Sequence, residues 1–207
     1  MNIARVLYPV EVLGPGKRVG IWVSGCPHHC VGCSNPELWK KLPEYEIDVF
    51  KFYHFIKSTF KGCKIDGFVI TGGDPLFQAH DLSELLPLLK SMSNDILVYT
   101  GYELRDLYSS ADPDIKKCLQ CIDVLIDGPY IEELNCGLPM RGSSNQSIIY
   151  LNSALQTCYE DYMKTNGNQI QNFPTNGGII SVGIHSPNFS EELKKRASER
   201  GVVIGDA

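Results

Sequence analysis

Three cysteines lie close enough in the sequence to act together chemically. They occur in the segment Cys26-Pro-His-His-Cys30-Val-Gly-Cys33, with the spacing C-x3-C-x2-C. Three thiolates on a short loop can converge on one metal centre, but a structural tetrahedral site needs four ligands. Iron–sulfur clusters are also normally held by four thiolates, and the next cysteine is Cys63, thirty residues further on. The segment therefore predicts a metal centre with one open position.

Two kinds of metal centre fit this spacing. A [4Fe-4S] cluster held by Cys26, Cys30 and Cys33 would leave one iron free for another ligand, as catalytic zinc sites keep a free position. The alternative is a zinc knuckle with His28 or His29 as the fourth ligand. These histidines lie in the tightest part of the loop, where reaching the same ion is strained.

A second motif, Thr71-Gly72-Gly73-Asp74-Pro75, follows a short apolar segment. Glycines let the backbone approach a ligand closely, and a carboxylate can accept hydrogen bonds from an ammonium group. Alone, the motif is also typical of a simple turn. Its position one crossover after the three-cysteine loop indicates a ligand site.

Strands and helices must bring these two motifs together. Short apolar segments predict strands at 3–12, 19–24, 67–71, 96–100, 124–127 and 146–151. Asp81 is the predicted N-cap of a helix that carries a stripe of leucines. Strands that alternate with helices in this way are typical of a mostly parallel α/β sheet with outer helices.

The remainder of the chain is less regular. Residues 152–178 are predicted to be an irregular connecting segment, and the Asn- and Gly-rich residues 166–178 are its best linker candidate. The tail predicts a strand at 179–185, a helix capped by Ser190, and a last short strand at 202–204. We therefore expect a core at residues 1–151, the connecting segment 152–178, and a strand–helix extension at 179–207 packed on the core.

Composition excludes several classes of protein. Of the 207 residues, 43 % are hydrophobic and 21 % are charged, which is ordinary for a soluble globule and excludes a disordered or fibrous chain. The first residues lack the apolar region of a signal peptide, and a cytoplasmic location is expected. A net charge of -5 argues against broad nucleic-acid binding. In a reducing compartment, the eight cysteines point to metal or redox chemistry rather than disulfides.

Taken together, the motifs resemble the activating proteins of anaerobic (class III) ribonucleotide reductase, a branch of the radical S-adenosylmethionine (SAM) enzymes. The loop Gly25–Pro36 is specific to that superfamily. The narrower resemblance rests on further stretches that occur in the family's order: Trp39, Thr71-Gly-Gly-Asp-Pro75, Val98-Tyr-Thr-Gly-Tyr102, Asp123-Val-Leu-Ile-Asp-Gly128 and Arg141-Gly-Ser-Ser-Asn-Gln146. Together they cover roughly residues 15–150.

The resemblance implies a partial (β/α) barrel and radical SAM chemistry. Cys26, Cys30 and Cys33 would hold a [4Fe-4S] cluster, and SAM would chelate its open iron. Asp74 would accept a hydrogen bond from the ammonium group of SAM. Strand-end residues are further candidates, because parallel α/β proteins bind ligands at the carboxyl ends of strands. The other expected SAM contacts are Gly32, Ser34, Gly72, Gly73, Tyr99, Thr100 and Asp127.

The resemblance also implies the reaction and the partners. One electron from an external donor such as flavodoxin or ferredoxin would lead to reductive cleavage of SAM, giving methionine and a 5′-deoxyadenosyl radical. In the activating branch this radical takes a hydrogen atom from a glycine Cα of the reductase, a glycyl radical enzyme. Because the cofactor performs the hard step, no catalytic residue is expected beyond the cofactor site.

Two alternatives stay open. The compact activating proteins end soon after the element Arg141–Gln146, whereas this chain continues for about sixty residues. A radical SAM enzyme acting on a small heterocycle or a peptide would share every SAM-binding motif. A non-enzymatic iron–sulfur or zinc module would need a fourth ligand near the loop, and the sequence lacks a further cysteine there.

The pair Cys118 and Cys121 lies in a predicted helix, where buried packing is favoured over a second cluster.

Overall fold

The computed structural model describes residues 1–175 and 178–201, without the side chain of Ser190. Six strands form one sheet in sequential order: β1 (Ile3–Val10), β2 (Arg18–Val23), β3 (Gly67–Gly72), β4 (Ile96–Tyr99), β5 (Val124–Asp127) and β6 (Ser147–Tyr150). Strands β2 to β5 are parallel, and the outer strands β1 and β6 are antiparallel to their neighbours. The expected α/β architecture with a mostly parallel sheet is confirmed.

Six α-helices accompany this sheet in the described part of the chain: α1 (Val49–Thr59), α2 (Ala79–Lys90), α3 (Leu104–Ser109), α4 (Pro113–Cys121), α5 (Gln156–Asn166) and α6 (Phe189–Ser198). A separate hairpin consists of β7 (Ile170–Thr175) and β8 (Gly178–Gly183). None of the described helices has the length and apolar character needed to cross a membrane.

Both faces of the sheet are covered, which explains why its central strands are almost entirely apolar. Side chains alternate along a strand, so Ile21 and Ile70 point to one face while Trp22 and Val69 point to the other. The first face packs against α1, α2 and α4. Part of the second face is covered by the C-terminal region, through Tyr159 of α5 and Val182 of β8.

A buried ion pair joins α5 to the sheet. Arg18, at the start of β2, is fully buried and lies 2.7 Å from Asp95, which precedes β4. The Tyr159 hydroxyl donates a hydrogen bond of 2.6 Å to the same carboxylate oxygen. The guanidinium group also lies over the Tyr159 ring, 5.6 Å from its centre. The C-terminal region is therefore fixed to the amino end of the sheet by specific polar contacts.

Several sequence predictions need correction. Helix α2 begins at Ala79 with Gln78 as its N-cap, because the helical turn Pro75–Gln78 leads directly into it, and Asp81 lies in its first turn. The segment predicted to be irregular contains two regular elements in its described part, α5 and β7, whose Tyr159 and Phe173 pack on the sheet. The N-cap of α6 is Asn188 rather than Ser190. The strand predicted at 202–204 lies outside the described residues.

Candidate metal and cofactor site

The three-cysteine loop and the Gly-Gly-Asp motif meet in one cavity at the carboxyl edge of the sheet. The cavity has a volume of about 200 Å³. Cys26, Cys30 and Cys33 all line it, are partly buried and carry free thiols. Gly72 to Asp74, at the end of β3, line it as well. The structure thus brings together the two motifs that the sequence singled out.

Backbone hydrogen bonds fix the course of the cysteine loop. The loop leaves β2 through Gly25, whose φ of +100° suits glycine. The backbone N–H groups of Gly25 and Cys26 donate to the carbonyls of Leu38 and Trp39, at 2.8 and 2.9 Å. The carbonyl of Gly25 accepts from the N–H of Asp74 at 2.9 Å. The loop is therefore bound on one side to the 36–39 turn and on the other side to the Gly-Gly-Asp motif.

Burial shapes the chemistry of the thiols. Desolvation raises the pKa of both Cys26 and Cys30, and the carboxylate of Asp74 acts in the same direction. Neutral thiols are poor ligands, because metals bind the thiolate and its formation releases a proton. A positively charged centre in the cavity would therefore stabilise the form that this environment disfavours.

The histidines of the loop have partners of their own. His28 contacts Asp74, with 2.8 Å between Nε2 and Oδ2, and the His29 ring packs against Trp39 with 5.0 Å between ring centres. A mononuclear zinc site needs four ligands within about 2.3 Å of one ion. The described residues contain no group of three His, Cys, Asp or Glu side chains arranged to hold one metal ion. Both loop histidines are thus engaged by other side chains, as expected if neither of them is a metal ligand.

Close backbone packing explains the second glycine of the Gly-Gly-Asp motif. The N–H of Gly73 donates to the carbonyl of Val23 at 2.8 Å. A Cβ atom on Gly73 would lie only 2.5 Å from the carbonyl oxygen of Gly25 and 3.0 Å from that of Leu38. Only glycine therefore lets β3 end directly against the start of the cysteine loop.

Asp74 is a buried carboxylate surrounded by donors. Its side chain is 1 % exposed. Oδ1 accepts from the N–H of Leu76 at 2.9 Å, and Oδ2 accepts from the N–H of Gly101 at 2.9 Å. The hydroxyl of Thr100 lies 3.0 and 2.9 Å from the two oxygens. Asp74 therefore connects the end of β3 to the end of β4, in addition to its contact with His28.

The other predicted SAM contacts divide into two groups. Ser34, Tyr99 and Thr100 line the cavity. The Tyr99 hydroxyl is fully buried and has no hydrogen-bond partner within the described structure, and burial raises the pKa of this phenol. Arg18 and Tyr162 are the charged and polar groups that act on this phenol, so its hydroxyl lies toward the buried Arg18 rather than toward the three thiols.

Gly32 and Asp127 do not belong to the described lining of the cavity. Gly32 has a φ of +70°, and a Cβ atom there would lie 2.5 Å from the carboxylate of Glu132. Asp127 accepts a hydrogen bond of 2.8 Å from the N–H of Leu104, at the start of α3. Both residues have evident structural roles, and their contact with SAM stays a prediction.

Sequence reasoning missed part of the site. His28 and Tyr130 line the cavity, and so does the continuous segment 180–185 around β8. The glycine next to Thr100 was a usable signal for His28, because a Cβ atom on Gly101 would lie 2.5 Å from the His28 ring. No comparable signal predicted that the β7–β8 hairpin lines the cavity. The pairing of its two strands is local and does not show where the hairpin packs on the sheet.

Comparison with known proteins agrees with this geometry. The family described as "4Fe-4S single cluster domain" matches residues 12–149, about two thirds of the chain. An anaerobic ribonucleoside-triphosphate reductase-activating protein from Pasteurella multocida is 39 % identical over 153 residues, covering 69 % of this chain and 93 % of the relative. The protein of the same name from Vibrio cholerae is 37 % identical over 150 residues, with 68 % and 93 % coverage.

A solved structure of QueE from Escherichia coli is more distant. It is 24 % identical and covers 48 % of this chain and 51 % of the QueE chain, with a TM-score of 0.39. This likeness is too weak to assign a fold or an activity.

The match over residues 12–149 defines the class of protein: a single-cluster [4Fe-4S] domain. Within that class, the chain belongs to the family of anaerobic ribonucleoside-triphosphate reductase-activating proteins. The family expected from the motifs is thus confirmed, together with its [4Fe-4S] cluster.

Proposed function

We propose that this protein generates a glycyl radical on an anaerobic ribonucleotide reductase. The observation that carries the proposal is the convergence of Cys26, Cys30, Cys33 and the Gly-Gly-Asp motif on one cavity, in a chain that matches the activating proteins over 93 % of their length. When bound, the cluster and SAM supply reductive cleavage to a 5′-deoxyadenosyl radical that abstracts a hydrogen atom.

The three cysteines hold the cluster in this proposal. They are the three thiols that line the cavity, and the loop that carries them is bound by backbone hydrogen bonds on both sides. The other described cysteines do not line it. Cys118 in particular donates to the carbonyl of Ala79 at 3.4 Å within the helical layer. A fourth thiolate is thus left out of the ligand set.

SAM contacts the strand ends in this proposal. Gly72 and Gly73 give backbone access at the end of β3, Ser34 follows the last cysteine, and Tyr99 with Thr100 forms the wall at the end of β4. In this proposal the sheet forms a partial barrel of the radical SAM type around the cavity. Support comes from the order of the four parallel strands, whose carboxyl ends lie along one edge.

Apolar side chains on the walls of the cavity exclude water in this proposal. Leu13 and Trp22 line the cavity from one side, and Ile180 and Val182 of β8 line it from the C-terminal region. Val182 is 3 % exposed. A highly reactive radical needs a site from which water and stray hydrogen donors are excluded. The hairpin therefore completes the reaction chamber in this chain.

The partners follow from the reaction. The reductase provides the glycine as a protein substrate, and an external one-electron donor such as flavodoxin or ferredoxin reduces the cluster. The protein acts in the cytoplasm, where these partners are available.

The test is hydrogen transfer from a labelled partner. Anaerobically reconstituted protein is mixed with SAM, reduced flavodoxin, and reductase that carries glycine deuterated at Cα. We expect deuterium in 5′-deoxyadenosine and a glycyl radical signal in the electron paramagnetic resonance (EPR) spectrum. SAM cleavage without deuterium transfer would refute the reductase as substrate, and absence of SAM cleavage would refute the radical SAM assignment itself.

A further inference from the structure

His28 has a defined position between two cluster-loop cysteines. Its Nε2 atom lies 2.8 Å from Oδ2 of Asp74, and its side chain is 19 % exposed. The ring meets Tyr102 edge-on, with 4.6 Å between ring centres and an interplanar angle of 73°. Gly101 leaves room for it, since a Cβ atom there would lie 2.5 Å from the ring. Three residues thus hold a side chain of the cysteine loop against the ends of β3 and β4.

The hydrogen bonds of Asp74 leave little capacity for another donor. An ionised carboxylate offers about four lone-pair sites. Two backbone N–H groups, from Leu76 and Gly101, occupy one site on each oxygen. The Thr100 hydroxyl and His28 take the remaining positions. An ammonium group arriving from the cavity would therefore have to displace a protein donor.

We infer that His28 is a positioning residue that fixes the cysteine loop to the strand ends through Asp74. In this arrangement Asp74 serves the cofactor by holding the loop in place, and it does not accept a hydrogen bond from the ammonium group of SAM. His28 donates through its Nε2–H to the carboxylate of Asp74. Because that carboxylate is held by its other hydrogen bonds, this contact fixes the position of the segment between Cys26 and Cys30. This inference rests on the proposed cluster and SAM site, and it changes the role expected for Asp74.

The test compares SAM binding by cluster-loaded variants. His28→Ala removes the donor, and His28→Gln keeps an N–H donor at a similar reach. His54→Ala is the matched control, because His54 is an exposed histidine of α1 that does not line the cavity. Iron content is measured first. The dissociation constant of SAM is then taken from the change in the EPR spectrum of the reduced cluster during titration.

We expect His28→Ala to weaken SAM binding by about tenfold to hundredfold, the range for one hydrogen bond to a charged group. His28→Gln should recover to within about threefold of wild type, and His54→Ala should bind like wild type. Equal binding by His28→Ala and His54→Ala would overturn the inference. Tighter binding by His28→Ala would also overturn it, because Asp74 would then be the ammonium acceptor and His28 its competitor.

A double-mutant cycle covers the case in which His28→Ala does not load its cluster. Chemical unfolding of the cluster-free protein is compared for His28→Ala, Asp74→Ala and the double variant. Coupled residues should give a double variant close to Asp74→Ala alone, and additive losses would refute the contact. Wild-type protein that fails to bind SAM would refute the proposed function instead, so the two failures are distinguishable.

Discussion

Replacement of Gly73 by alanine tests how closely the Gly-Gly-Asp motif and the cysteine loop must approach. The added Cβ would lie 2.5 Å from the carbonyl oxygen of Gly25, whereas ordinary contacts of such an atom begin at 3.4 Å. The loop and the end of β3 must therefore separate by up to about 0.9 Å, the difference between these distances. The obstacle is backbone, so no side-chain rotation can relieve it.

The expected effects on folding and on chemistry differ in size. Overpacking of this kind costs about 1–3 kcal/mol of stability, which a domain with about 5–15 kcal/mol survives. A displacement of about 1 Å at a reacting site lowers a rate about a hundredfold. Gly73→Ala should therefore fold and yet cleave SAM about a hundredfold more slowly per cluster than wild type.

The assay combines chemical unfolding with 5′-deoxyadenosine formation, normalised to iron content. Gly62→Ala is the control, because Gly62 has a φ of +83° and no atom within 4 Å of the added Cβ. That variant should lose about 1–2 kcal/mol through left-handed strain and keep its SAM cleavage. A Gly73→Ala rate within threefold of wild type would refute the argument that this contact sets the site.

Three further predictions concern the cluster, the core and pH. Cys30→Ala should lose the brown cluster and SAM cleavage, whereas exposed Cys63→Ala should keep both; an active Cys30→Ala would contradict the ligand role. Tyr159→Phe should lower the free energy of unfolding by about 1.5–3 kcal/mol, because the hydrogen bond to the Asp95 carboxylate is lost. An unchanged denaturation midpoint would show that this hydrogen bond does not stabilise the fold. Burial lowers the pKa of His185, so the folded protein holds this side chain neutral where the unfolded chain already takes up a proton. The free energy of unfolding should therefore be highest above the unfolded pKa of about 6.5 and fall as the pH drops through it. His185→Gln should flatten this pH dependence, and equal pH profiles for the variant and wild type would contradict the prediction.

The sequence was most informative where local chemistry determines structure. Apolar segments such as Val124–Asp127 form buried strands because both faces of the sheet are covered, and this pattern needs no knowledge of distant contacts. The cysteine spacing and the Gly-Gly-Asp motif predicted a shared site for the same reason. Parallel strands place successive loops at one edge, so two loop motifs one crossover apart had to meet.

Sequence alone could not place contacts between distant segments. The composition of residues 166–178 is typical of a linker, yet β7 forms there because Phe173 packs on the sheet and Gln171 donates to the carbonyl of Pro9 at 2.8 Å. The hydrogen-bond donors that surround Asp74 were equally out of reach of sequence reasoning. Its donors come from three separate parts of the chain, and only the fold brings them together.

The buried ion pair of Arg18 and Asp95, with Tyr159 against it, also bears on how the chain could be shortened. A guanidinium group that is wholly buried depends on every neighbour that compensates its charge. Here one of those neighbours, a phenol ring, comes from beyond the region shared with the compact relatives, which ends at residue 149 in the family match. A chain cut back to that shared region would lose the Tyr159 ring and uncover the Arg18 guanidinium, whose remaining partners are the Asp95 carboxylate and the carbonyls of Pro15 and Phe68.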